Sequence, residues 1–307
     1  MASQTATTVT SRHITLPFNL RADPLALNDP KNRELLYKLF PGTTGLAMDG
    51  TFLYIIQAEA PPKPWPKSIA GLPSYFAPQI GPQHTPVLFG WHLGRGSGAI
   101  ARSLNGRDMA DWEPLFIIVK NHFKVMGVSV TEIMYWGNYL VVILEHRRTA
   151  DISKLPWKAG NIAVTYFYED EVGRPSTPQS RCEAGPRPGN QVDLKSLTPA
   201  KRRRTRDFVF LGSSDRDSIE GSFMGTSFQR VIADEGSSEQ QWVFAIWLYM
   251  GQDSADALPS RIYGNAIFTS TGYVLGFCQY APTEGPMKDW CVGIATNEFI
   301  DRGFTNF

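Results

Sequence analysis

Of the chain's 307 residues, 42% are hydrophobic, enough to fill a sizeable core in one large domain or two smaller ones. Basic and acidic side chains nearly cancel, 30 against 29, so no bulk charge steers the molecule toward nucleic acid or a membrane. Three widely spaced cysteines (Cys182, Cys278 and Cys291) exclude a dense secreted disulfide scaffold. No stretch approaches the ~18–20 apolar residues of a membrane span, and an intracellular setting, cytoplasmic or nuclear, is expected.

Residues 1–28 open on a Ser/Thr-rich run whose β-branched residues suit neither a secretory signal nor an amphipathic helix, and they read as a flexible tail. Residues 29–307 are expected to form a single domain. Its first element is a helix: Asp29 caps, Pro30 takes the first position, Leu35, Leu36, Leu39 and Phe40 form the apolar stripe, and Pro41-Gly42 stops it. Gly45–Met48 and Thr51–Ile56 then flank Asp49-Gly50, the dipeptide that favours a tight hairpin. Residues 61–82, rich in Pro and aromatics, read as an ordered surface loop.

Short apolar runs bounded by Gly, Asn or Pro predict strands at Pro86–Leu93, Pro114–Val119, Phe123–Met134, Tyr139–Leu144 and Ile162–Tyr168. Over 169–206 the apolar pattern is replaced by Pro, Gly, Ser and charge, as in a long surface insertion or disordered linker. Strands resume at Asp207–Leu211, Thr226–Ile232 and Gln241–Tyr249. Ala266–Thr269 and Tyr273–Tyr280 form a hairpin, Trp290–Ala295 a last strand, and Thr296 caps a short helix ending at Gly303. The expected class is therefore mainly β, with few short helices and one long insertion. No repeat of fixed period points to a propeller.

The run Tyr263-Gly264-Asn265-Ala266-Ile267-Phe268-Thr269-Ser270-Thr271-Gly272-Tyr273-Val274-Leu275-Gly276-Phe277 resembles the segment after the nucleophile in trypsin-like serine peptidases. The following strand (WCVGIA) and terminal helix (TNEFIDRGF) keep that family's order. Upstream, Leu53–Ala58 is similar to the strand before the catalytic His, and Arg206–Leu211 to the strand that begins with the catalytic Asp. The resemblance spans residues 42–60 and 205–306 and implies a double β-barrel. It puts Tyr263 where the nucleophilic Ser stands and Glu59-Ala60 where the base should be, while Asp207 is kept. Ser260 serves as nucleophile only if the loop is re-registered. The resemblance thus implies a degenerate, inactive member that acts as a binding or regulatory scaffold and holds a peptide along the old substrate cleft. The alternatives are a hydrolase with a different serine constellation, and a nuclear or polyanion-associated protein.

The remaining chemistry is sparse. His13, His84, His92, His122 and His146 include none aligned with the peptidase base, and Cys278 and Cys291 are expected in the core as small hydrophobes. The sequence holds no C-x-x-C, H-E-x-x-H or H-x-H spacing, and Asp215, Asp217 and Glu220 lack the spacing of a calcium loop; no metal or cofactor is expected. Gly94–Gly98 lacks the ending of a phosphate-binding loop and reads as a flexible loop. The one charge cluster is Lys201, Arg202, Arg203, Arg204 and Arg206, read as an import signal, a phosphate grip or a solvated loop. Trp65, Trp91, Trp112 and Trp157 are expected in the core rather than on a stacking surface.

Overall fold

A computed structural model describes residues 13–49, 51–81, 84–86, 113–136, 139–145, 151–159, 162–172, 196–199, 202–212, 218–232, 240–252, 258, 262–282 and 287–301. The chain divides into two compact units, Met1–Gln79 and Ile80–Phe307. The protein is mainly β, with a sheet in each unit.

In the first unit, β1 (His13–Ile14) precedes helix α1 (Pro30–Leu39). The Asp29 carboxylate accepts the Lys31 amide at 2.9 Å, satisfying one of the donors that a helix start leaves open. Leu36 is buried, and Lys38 and Glu34 pair at 2.8 Å on the solvent side. The next two strands, β2 (Thr43–Met48) and β3 (Leu53–Gln57), form the expected hairpin. Its turn is tied by Asp49, whose Oδ1 accepts the amides of Thr51 (2.7 Å) and Phe52 (2.9 Å) while Oδ2 accepts the Tyr54 hydroxyl at 2.6 Å.

The proline-rich stretch is more than a loop, because it contains β4 (Ser68–Ile69) and β5 (Leu72–Ala77). Between them Ala70 and Gly71 both take positive φ, 49° and 84°, which turns the chain tightly back on itself. A side chain at Gly71 would meet Asn19 Oδ1 at 2.6 Å, so glycine is required twice over. The strand order is β1-β4-β5-β3-β2, with β1/β4 and β3/β5 parallel. No ladder joins β1 to β2 among the described residues, so this sheet is open. Its core gathers Leu20, Leu36, Leu53, Ile55, Trp65, Leu72 and Phe76.

In the second unit the strand expected at 114–119 is instead part of helix α2 (Glu113–Val125), which also takes the start of the strand expected at 123–134. The run of β-branched residues there favoured a strand. Pro114 in the first turn and the spacing of buried Phe116, Val119 and Phe123 fit a helix better. After it come β6 (Val130–Trp136), β7 (Tyr139–Leu144), β8 (Lys158–Ala159), β9 (Ile162–Tyr168) and β10 (Phe208–Leu211). Then follow β11 (Ile219–Ile232), β12 (Gln240–Tyr249), β13 (Ala266–Thr269), β14 (Val274–Tyr280), β15 (Trp290–Ala295) and helix α3 (Asn297–Asp301).

These strands form one ladder, β10-β13-β14-β15-β12-β11-β6-β7-β9-β8. Because β10 also pairs with β11, the six strands from β10 to β11 close into a ring in which every neighbour is antiparallel. Closure removes the open edges that an antiparallel sheet would otherwise expose. The 14-residue strand β11 makes the junction: Ile219–Ser222 pair with β10, and Ser227–Gln229 pair with β6. Val209, Leu211, Phe223, Ile246, Leu248, Ile267, Leu275, Cys278 and Cys291 fill the ring's core. Gly276 sits where neighbouring strands pack closely, and a Cβ there would run into the Ile294 carbonyl and meet Ile246 Cδ1 at 2.8 Å. A second core lies between α2 and the β6/β7/β9 end, around Phe116, Phe123, Leu140, Val142 and Tyr166.

Candidate functional site

The run that resembles the post-nucleophile segment leads through a turn into β13 and back along β14. The Gly264 amide donates to Cys278 O at 2.8 Å and the Cys278 amide to Asn265 O at 2.9 Å, which locks the turn to the barrel. Gly264 carries a φ of 77°, a conformation that suits glycine. Tyr263, which the resemblance puts in the nucleophile's place, is partly buried and packs against the ring's core. Burial first, and then the neighbouring Cys278 thiol, push its phenol pKa upward, so at neutral pH the hydroxyl keeps its proton.

Asp207 stands just before β10, half-buried. Its backbone is fixed on both sides, N–H to Arg204 O at 3.2 Å and C=O from the Phe223 amide at 2.8 Å. In the β10/β13 ladder Val209 faces Thr269 and Leu211 faces Ile267. Asp207 therefore lies at the Thr269 end and Tyr263 beyond the opposite one; the ladder keeps them apart. Ala60 belongs to the first unit, is exposed, and has no proton to give or take. Ser260 lies outside the described residues, as do His92, His146, Cys182, Lys201, Asp215, Asp217, Trp91, Trp112, the Gly94–Gly98 loop and most of the 169–206 insertion.

One imidazole does meet a serine: His13 Nδ1 lies 3.1 Å from Ser68 Oγ, across the β1/β4 pair and 55 residues apart in sequence. Neither residue carries a motif, so nothing local could have announced the contact. The same holds for Ser129, which donates to Glu145 Oε2 while Arg230 binds both, at 2.6 Å to Glu145 Oε1 and 3.2 Å to Ser129 Oγ. Glu132, fully buried on β6, was equally silent in sequence; its Oε1 accepts the Trp247 indole N–H at 2.8 Å. His84 is half-buried and His122 is exposed on α2.

The basic cluster is not uniformly solvated, contrary to its reading as a surface run. Arg202 and Arg204 are exposed, but Arg203 is only 1% exposed and Arg206 8%. Arg203 Nη2 donates to Asn297 Oδ1 (2.8 Å), Thr296 Oγ1 (3.0 Å) and Thr198 O (3.4 Å), so this arginine fastens the 198–206 segment to the end of the barrel. Burial brings its pKa down to about 10, against the opposing pull of Glu113, Glu298 and Asp301; it stays charged at neutral pH. A run of like charges hides such residues, because composition cannot show which of the four arginines turn inward. Of the tryptophans, Trp65 is in the core as expected, whereas Trp157 is 40% exposed with Lys158 Nζ 4.7 Å above its ring.

Among the described residues no group of three or more His, Cys, Asp or Glu is placed to hold a metal ion. No described helix is long and apolar enough to cross a membrane. A scan against known protein families and a search of curated proteins each found no match for this chain.

Proposed function

We propose that this chain is a protease-like protein without peptidase chemistry, acting as a scaffold that binds a peptide or protein partner. The observation that supports it is the place of the 263–295 run. It supplies three successive antiparallel strands of a closed six-stranded ring, entered through a glycine turn that carries Tyr263 in the nucleophile's place. On this reading the ring corresponds to one barrel of the trypsin-like double β-barrel, and the first unit to a reduced version of the other. With Tyr263 in the nucleophile's place and Ala60 in place of a base, the positions that the resemblance assigns to the triad hold neither a serine nor an imidazole to take its proton. Binding by strand addition needs only backbone donors and acceptors and survives the loss of the triad; with the ring closed, it would use an edge strand outside the ring, such as β2 or β8.

The test is incubation with a diverse peptide library. The reading expects no new peptide termini by mass spectrometry and recovery of a related subset of intact peptides with the protein on gel filtration. Cleaved products would refute it, and so would the absence of any retained peptide. The contact between His13 and Ser68 favours a second reading, a hydrolase with an unaligned serine. Product formation abolished by Ser68→Ala would establish that one instead.

A further inference from the structure

Cys278 on β14 and Cys291 on β15 are both free thiols, 2% and 0% exposed, in the core of the ring. Their sulfurs lie 3.2 Å apart. A disulfide needs about 2.0 Å, so closing the bond asks for little more than an ångström of approach. Their placement follows from the register. Cys278 faces Gly293, and Cys291 lies two residues earlier on β15, so both project from the same side of the sheet. The pairing also shifts by one residue between Cys278 and Tyr280, giving β14 an extra residue beside the contact.

We propose that Cys278 and Cys291 are a disulfide-forming pair, closed by exchange with a small-molecule disulfide such as oxidised glutathione. In the first step one thiol loses its proton and the thiolate attacks a glutathione sulfur; a protein–glutathione mixed disulfide forms and one glutathione thiolate leaves. The second protein thiolate then attacks the mixed disulfide at the protein sulfur and releases the second glutathione. Two protein thiols are oxidised, one glutathione disulfide is reduced to two thiols, and the protons pass to the leaving thiolates.

Timing follows from burial. In the closed ring the Cys278 thiol is held well above its ordinary pKa by its hydrogen bond with Cys291 and by burial, and neither sulfur is open to a co-reactant. Exchange therefore proceeds while β14 and β15 are apart, during folding or transient opening, and the finished bond is then shielded from reductant. The crosslink ties the strand that anchors the Tyr263 turn, through the Gly264 and Asn265 backbone bonds, to β15. The proposal does not depend on the functional reading above.

The experiment unfolds reduced protein in urea and refolds it in a mixture of oxidised and reduced glutathione. Acid quenching, alkylation, intact mass and peptide mapping follow. The expected product has lost two hydrogens, carries a Cys278–Cys291 linked peptide, and has a higher urea midpoint than the reduced protein. Cys182→Ser gives the same link, and Cys278→Ala does not. A parallel incubation of native protein in urea below its transition yields the same bond without requiring complete refolding. Free thiols at both positions in protein that has regained its native circular dichroism would overturn the proposal. A dominant bond to Cys182, or a persistent glutathione adduct, would overturn it equally.

Discussion

The two units reach a β structure by different routes. In Met1–Gln79 the turns are set locally, by Asp29 at the helix start, Asp49 at the β2/β3 turn and Ala70-Gly71 between β4 and β5, and the parallel β1/β4 pair is its longest reach, 55 residues from His13 to Ser68. In the second unit the decisive pairings are distant, above all β10 with β13 and β12 with β15, which join the β10–β11–β12 and β13–β14–β15 runs of neighbouring strands into one ring. Local turn chemistry can set a hairpin. A closed ring needs strands of matched length and register supplied from far along the chain, and its burial is shared among all of them. This is where the antiparallel ring differs from the open, partly parallel first sheet.

The comparison is tested hardest by removing one buried aromatic ring from each unit. Trp290→Ala removes a buried ring that packs on Trp136, Trp247 and Tyr249 at centroid distances of 4.5, 6.3 and 5.3 Å. Phe76→Ala removes one that packs on Phe40 and Trp65. Each is expected to cost about 3–5 kcal/mol in denaturant unfolding. Hydrogen exchange should show the largest loss of protection in the unit that carries the change. Equal loss in both units from either substitution would mean that the two cores do not act separately.

Next in size, Gly276→Val adds a side chain where Ile246 already fills the space, and about 1–3 kcal/mol of destabilisation is expected. A neutral result would show that the ring is looser than its packing implies. Arg203→Ala takes a guanidinium from three buried acceptors and should cost about 1–3 kcal/mol. Arg202→Ala and Arg204→Ala should stay within about 0.5 kcal/mol, because both are exposed. Three equal values would remove the distinction between the anchoring arginine and its neighbours.

The legibility of the sequence follows the reach of each contact rather than the boundary between the units. The α1 cap, the β2/β3 hairpin and the β13–β14–β15 order were all readable, because each depends on residues a few positions apart. The helix at 113–125 was misread because Ile117-Ile118-Val119 is locally strand-like while its burial follows a helical period. The strands β4 and β5 were hidden by proline content. The β10/β13 pairing, the His13–Ser68 contact and the inward turn of Arg203 depend on neighbours 55 to 94 residues away, and no window of sequence contains them.

The smallest expected effect is a pH dependence in the first unit. Burial raises the Asp49 pKa above 3.8, against the pull of its hydrogen bonds from Tyr54, Phe52 and Thr51. A carboxyl with a raised pKa holds its proton more tightly folded than unfolded. Its contribution to stability is therefore present below about 3.8 and is lost as pH rises through the folded value. Relative to Asp49→Asn, the wild type should thus lose stability as pH climbs through that window and run parallel above it. Parallel curves throughout would show that Asp49 is not desolvated.

The proposed function holds that this chain carries no serine chemistry, and an active-site serine probe tests it most directly. Purified native protein exposed to a fluorophosphonate should show no labelling beyond that of the heat-denatured control, with Ser68→Ala and Ser260→Ala indistinguishable from wild type. Stoichiometric labelling of the native protein, lost on denaturation and abolished by one of those substitutions, would contradict the account and identify the nucleophile.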